Sequence, residues 1–225
     1  MCYSLRKLKL FLLFHYHCTK FQNQLMNNCL TVHPKAKALI FDIDGTLADT
    51  MPAHFKAFKK VLSRYGIEMT AELFESIAGV PVGPQMVMFK KQFKLENFVP
   101  EQVAIEKEEE YFKTIDHTKP IDIVFDILKK YHGEMPIGCG TGGDRRIAYK
   151  TLEVIGASHL VDAIVTCDDV VYGKPAPDTF LKCAELLGVE PQYCQVFEDG
   201  QPGIDAAIAA GMMVTDVRDV LKTTL

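Results

Sequence analysis

From Lys35 onward the hydrophobic positions of the chain follow two alternating periods. Continuous apolar runs of five to seven residues recur: KALIF (37–41), MPIGCG (135–140), LVDAIVT (160–166), YCQVFE (193–198) and MMVTDV (212–217). Unbroken runs of this length suit strands buried on both faces. Between them, apolar positions fall three and four residues apart, which predicts amphipathic helices over residues 49–66, 121–132, 144–156, 177–188 and 201–211. In the first of these, Phe55, Phe58, Leu62 and Tyr65 share one face. Pro52 suits its opening turn, and Gly66 its C-terminal stop. Residues 70–115 are helical in pattern and contain no strand-like run.

Five strands separated by helices imply a parallel sheet covered on both faces. The expected fold class is α/β, a Rossmann-like parallel-sheet core with a helical cap inserted after the first strand. The core takes residues 35–52 and 116–225, and the cap takes 53–115. Residues 1–34 read as an N-terminal extension. Its basic start (Arg6, Lys7, Lys9) and short apolar run have the shape of a signal peptide, but no small-residue cleavage site follows. A frayed extension, or an overlong start with Met26 as the initiator, is the expectation.

Composition removes several function classes. A net charge of −4 provides no basic field for nucleic acid or an anionic membrane. No segment approaches the roughly 20 apolar residues of a spanning helix. The seven cysteines are odd in number and form no CxxC pair. They read as free thiols in a reducing compartment, without structural zinc. A cytoplasmic protein, monomer or weak dimer, is expected.

The candidate chemistry lies where the strands end. In an open parallel sheet, ligands sit beyond the carboxyl ends of the strands. The residues there are Asp42, Asp44, Thr141, Gly142, Asp168, Lys174, Glu198 and Asp199. FDIDGTLADT (41–50) puts two acids at the exit of the first strand, leaving one face of an extended chain as an i, i+2 pair. Several carboxylates in one pocket make an oxygen-ligand site for a hard cation, Mg²⁺ by preference. The cation would offset the repulsion between Asp42 and Asp44.

Four stretches in order carry a family resemblance: DIDGT (42–46), GTG (140–142), GKPAPD (173–178) and FEDG (197–200). They resemble the four motifs of the haloacid dehalogenase superfamily of phosphotransferases, over about residues 36–220. Within it the chain is most similar to the β-phosphoglucomutase-like branch. Through KPAPDTFLKCAELLGV and AAGMMVTDVR it resembles the small bacterial fructose-1-phosphate phosphatases. The resemblance implies a Mg²⁺-dependent phosphoric monoester hydrolase acting on small sugar phosphates through an aspartyl-phosphate. It implies Asp42 as nucleophile and Asp44 as general acid and then base. Asp42, Asp44 (through its carbonyl) and Asp199 would hold the metal, with Glu198 close behind. Thr141 would bind phosphoryl oxygens, and Lys174 would neutralise phosphate and nucleophile. His54 and Lys107 are candidates on the cap side, Gly142 and Arg145 on the loop after the second strand. Two other functions fit the same motifs: a β-phosphoglucomutase, and a catalytically silent binding protein of the same fold.

Plainer readings stand beside these. Thr141 suits a turn among Gly140, Gly142 and Gly143, and Lys174 suits a solvated loop. His54 suits a histidine satisfied by a backbone group. Lys107 suits an ion pair with Glu106 or Glu110. Asp49 is expected to be structural at the helix entrance, Asp168 and Asp169 to be loop acids, and residues 106–110 to form a solvated acidic face.

Overall fold

The computed structural model describes residues 30–77 and 80–221. The expectations for Met26 and the first 29 residues lie outside the described residues. Val32–Val217 form one compact unit. The short helix Arg218–Leu221 belongs to a second unit and is described only as such.

The unit opens with strand β1 (Ala38–Phe41). Four helices follow: α1 (Met51–Leu62), α2 (Ala71–Ser76), α3 (Val82–Gln92) and α4 (Pro100–Phe112). The βα alternation then resumes with α5 (Asp122–Tyr131), β2 (Ile137–Gly140), α6 (Arg145–Val154) and β3 (Ala163–Val165). It ends with α7 (Asp178–Leu187), β4 (Cys194–Glu198), α8 (Gln201–Ala209) and β5 (Met213–Asp216). All five predicted strands form, each within its apolar run. They pair in parallel in the order β3-β2-β1-β4-β5.

That order decides where the site lies. The chain moves outward from β1 through β2 to β3, then returns to lay β4 on the other side of β1. The crossovers therefore diverge between β1 and β4, and a crevice opens at the carboxyl ends of these two strands. β1 and β4 are buried throughout. Ala38, Ile40 and Val196 pack with Phe180, Cys183 and Ala184 of α7 and with Ala206 and Ala207 of α8. By strand alternation Phe41 and Phe197 face the other way, and their rings stack at 4.8 Å.

The helical block has its own apolar cluster. Phe58, Val61 and Leu62 of α1 meet Met86 and Phe89 of α3, with Phe98 and Val103 of α4's entry and first turns. The predicted face of the first helix supplies Phe55, Phe58, Leu62 and Tyr65 to this cluster. Pro52 lies in its first turn. Gly66, at φ 73°, ends the 3₁₀ turn Ser63–Tyr65 that follows. A smaller cluster of Ala57, Tyr111, Ile115 and Ile147 joins the block to α6.

Phe89 is fully buried at the centre of the helical cluster. Phe89→Ala is expected to lower unfolding stability by about 3–5 kcal/mol, measured by urea denaturation. A loss below about 1 kcal/mol would show that the block is not packed as described.

Candidate active site

β1 ends at Phe41, and the amide of Asp42 still donates to the carbonyl of Phe197 on β4, at 3.0 Å. The chain then curls rather than staying extended. The amides of Thr46, Leu47 and Ala48 all turn back onto the carbonyl of Ile43. The turn into which the two acids lead thus closes on Ile43, with Asp44 bridged to Ala48. Gly45 holds this turn at φ +85°, a conformation that favours glycine. A Cβ there would lie 2.3 Å from Oδ2 of Asp199. The turn and the end of β4 are thus in direct contact.

Lys174 joins the two strand ends. Its Nζ donates to Oδ1 of Asp42 at 2.7 Å and to Oε2 of Glu198 at 2.6 Å, both bonds buried. The other oxygen of Glu198 accepts from the amides of Asp199 (3.1 Å) and Gly200 (2.8 Å). Gly203 in the first turn of α8 leaves room for this carboxylate, since a Cβ there would sit 1.9 Å from Oε2. Glu198 is therefore occupied by protein donors on both oxygens. Asp199 accepts a hydrogen bond from the Thr46 hydroxyl at 2.8 Å. Thr46 stands in the DIDGT motif without a role assigned from sequence; its hydroxyl is fully buried against Asp199, a contact that no local pattern announces.

The electrostatics of this cluster are unbalanced. Burial, then the charge of Glu198, pushes the Asp42 carboxyl well above the usual range despite Lys174. Burial and Glu198 likewise raise Asp199 to about 7. Burial would depress Lys174, but Asp42 and Glu198 outweigh it and hold the ammonium protonated. Oxygens of Asp42, Glu198 and Asp199 lie within 4.8 Å of one another, with one ammonium between two of them. An excess of two negative charges in a buried oxygen cluster fits a divalent cation.

Asp44 has separate partners. Nε2 of His54 lies 3.4 Å from its Oδ1. On the ring's other side Lys107 Nζ lies 2.7 Å from Nδ1. An ammonium can only donate, so Nδ1 accepts and the neutral ring carries its proton on Nε2, toward Asp44. Burial and the Lys107 charge depress the His54 pKa, in keeping with a neutral ring. Burial also lowers Lys107, against the pull of Glu108, which bonds it at 3.0 Å. For Asp44, burial is outweighed by the hydrogen bond from His54 together with the charge of Lys107, and its pKa falls. Lys107 thus pairs with His54 and Glu108, not with Glu106 or Glu110 as its helical spacing suggested.

The remaining candidates flank these groups. Thr141 is buried after β2, and its hydroxyl accepts from the Gly143 amide at 3.0 Å. A Cβ at Gly143 would lie 3.6 Å from Oδ2 of Asp44, so this loop runs beside that carboxylate. Gly142 sits at its open tip, where a Cβ would meet nothing within 4 Å. Arg145 is drawn elsewhere. Its amide donates to Asp168 and its guanidinium to Asp169. Asp168 and Asp169 thus anchor the loop after β3. Asp169 also closes a capping box with Thr166. Asp49 does not cap α1; its amide donates to the carbonyl of Lys119. The acidic run of α4 is paired rather than merely solvated, with Glu106 to Arg64, Glu109 to Arg146, and Glu110 to Lys60 and Lys113.

Residues 39–217 match the family described as "Haloacid dehalogenase-like hydrolase". The chain belongs to this family. It is 40% identical over 190 residues to the fructose-1-phosphate phosphatase YqaB of Escherichia coli K12, covering 83% of this chain and 99% of that protein. It is 30% identical over 188 residues to the β-phosphoglucomutase of Bacillus subtilis 168, covering 80% of this chain and 83% of that one. Among solved structures, a β-phosphoglucomutase from Clostridium difficile superposes with a TM-score of 0.72 at 26% identity, covering 83% of this chain and 88% of that chain. The family and its named phosphatases place the chain among the phosphoric monoester hydrolases. No described helix is long and apolar enough to cross a membrane.

Cation binding tests the division of labour between Asp199 and Glu198. Calorimetric titration with Mg²⁺ is expected to show Asp199→Ala weakening affinity at least about tenfold more than Glu198→Gln. Equal losses would make Glu198 a direct ligand. Protons compete for the raised Asp199 carboxylate, so Mg²⁺ affinity should fall as pH drops below about 7, by up to about tenfold per unit. A flat profile between pH 5 and 8 would contradict that electrostatic account.

Proposed function

We propose that this protein is a Mg²⁺-dependent phosphatase of small sugar phosphates, with fructose 1-phosphate as the type of substrate, acting through an aspartyl-phosphate on Asp42. The observation that carries this reading is the separation of the two acids of the DIDGT turn. Asp42 sits in the cation-seeking cluster with Lys174, Glu198 and Asp199. Asp44 sits 3.4 Å from His54 and is served by Lys107 through that ring. Two carboxylates two residues apart are thereby given different tasks.

In the proposed reaction an oxygen of Asp42 attacks phosphorus and the bond from phosphorus to the sugar oxygen breaks. The leaving oxygen takes a proton from Asp44. Water then attacks the phosphoryl group on Asp42, Asp44 takes its proton, and inorganic phosphate leaves with Asp42 restored. Asp42, the carbonyl of Asp44 and Asp199 would hold the metal, and Glu198 would hold Lys174. A bound Mg²⁺ supplies positive charge that keeps Asp42 ionised and offsets charge on the phosphoryl oxygens. Lys174 adds a second positive charge against the nucleophile. The low pKa of Asp44 suits its role as base. The dianionic substrate beside it raises that pKa and equips it as acid. Thr141 and the Gly142 loop, which runs beside Asp44, would donate to phosphoryl oxygens. The helical block 53–115 would act as a cap that excludes bulk water.

A phosphatase is favoured over a mutase because a mutase must hold a second phosphate. The two arginines that follow the loop after β2 are already engaged, Arg145 by Asp169 and Arg146 by Glu109. Asp144 spends its carboxylate on the Ile147 amide as the N-cap of α6, and it would repel a further phosphate. In the resembled mutases an arginine stands three positions after a cap glycine that a valine follows. Here Gly79, outside the described residues, and Val80 would be that pair, and Val82 at the start of α3 replaces the arginine. Four described cysteines are free thiols. We place the enzyme in the cytoplasm, as a monomer or weak dimer.

A panel of sugar phosphates with product identification tests the reading. Free phosphate is expected from fructose 1-phosphate and related monoesters, abolished by chelator and restored by Mg²⁺. Faster conversion of β-glucose 1-phosphate to glucose 6-phosphate would establish the mutase. No turnover of any monoester would leave a binding protein. Asp42→Asn should lose turnover by orders of magnitude with the fold kept, and Asp44→Asn by about 10²–10⁴-fold. Near-normal rates in either variant would contradict the assigned roles.

A further inference from the structure

We infer that Tyr111 is a positioning residue for His54, its ring being the platform that holds the imidazole with Nε2 toward Asp44. The two rings stack face to face, with centroids 3.9 Å apart and planes 10° from parallel. Lys107 and Tyr111 are four residues apart on α4 and so share one face of the helix. That face grips His54 twice, with Lys107 at the Nδ1 edge and Tyr111 against the plane of the ring. A single hydrogen bond at one edge leaves an imidazole free to pivot; a stacked ring removes that freedom.

The platform is itself fixed from behind. Tyr111 is fully buried among Ala57 of α1, Ile115 of the returning chain and Ile147 of α6. Three separate segments hold it, one of them in the sheet-bearing core. His54 is thereby referenced to the core that carries Asp44, and not only to its own helix. The hydroxyl adds little to this. It lies beside the hydroxyls of Thr118 and Thr151, and all three are buried without a directed hydrogen bond between them. The stacking ring, rather than the hydroxyl, is the working part.

This inference rests on the proposed role of Asp44, and its test separates the two. Tyr111→Phe keeps the ring, whereas Tyr111→Leu and Tyr111→Met remove stacking but keep apolar bulk. The Phe variant is expected to keep kcat within about threefold, and the stack-free variants to lose at least about tenfold in kcat with KM changed less than about twofold. In a His54→Ala background the same substitutions should change kcat by less than about twofold, because the residue acts through His54. Nitrogen NMR of the His54 ring gives a reading that needs no turnover. One tautomer, protonated on Nε2, is expected in the wild type and the Phe variant, and a mixture in the Leu or Met variant. Equal kcat losses with and without His54, or an unchanged tautomer in the folded stack-free variants, would overturn the inference. A protein that hydrolyses no monoester but shows the tautomer change would instead overturn the function and leave the platform standing.

Discussion

The buried ammonium of Lys174 between Asp42 and Glu198 is the contact on which the site depends. It spans 132 residues of sequence to reach Asp42 and ties the end of β1 to the end of β4. Buried ion pairs carry a heavy desolvation cost, and a bare one often contributes little to stability. Here the cost is compounded, since three carboxylates share one ammonium. Such an arrangement is poor design for stability alone. It makes sense as a negative excess held open for a divalent cation, whose charge would in turn admit a phosphoryl group in the proposed reaction. The sheet order supplies the rest of the reason. Only at the reversal between β1 and β4 do two neighbouring strands end on a shared crevice.

Around that deficit the fold sorts its acids by partner. Asp42 is held in the crevice by a core lysine, and Glu198 has both oxygens spent on Lys174 and on two amides. Asp44 is turned out of the cluster by the curl at Ile43 and meets a histidine of α1. The helical block takes part in this sorting. Through His54 and Lys107 it contributes the environment of one of the two acids, so its docking on the core bears directly on the proposed proton transfer.

The sheet was legible because strands buried on both faces read as unbroken apolar runs, as in ALIF and CQVFE. The strand-end acids were legible because no buried strand carries such residues without a reason. Other features depended on angles between helices, which no local pattern encodes. Lys107 looked like one member of an i, i+3 or i+4 charge pair. Its true partner, His54, lies 53 residues away and becomes visible only once α1 and α4 are packed. Gly203 and Thr46 behave alike: an opening glycine on a helix and a hydroxyl in a turn gain meaning only when Glu198 and Asp199 arrive beside them. Tyr111 drew no reading from the sequence, because the ring it stacks on belongs to another helix. The tight turn after the two acids was legible from Gly45, which holds it at φ +85°.

In the proposed reaction Asp42 carries the phosphoryl group between substrate and water. Acid quenching during turnover of fructose 1-phosphate, then borohydride reduction of any acyl phosphate and peptide mass analysis, reads this step. Reduction expels the phosphate and leaves homoserine, which is expected at position 42 alone and absent from Asp42→Asn. Homoserine at another position, or phosphate released at full rate with no residue reduced, would contradict it.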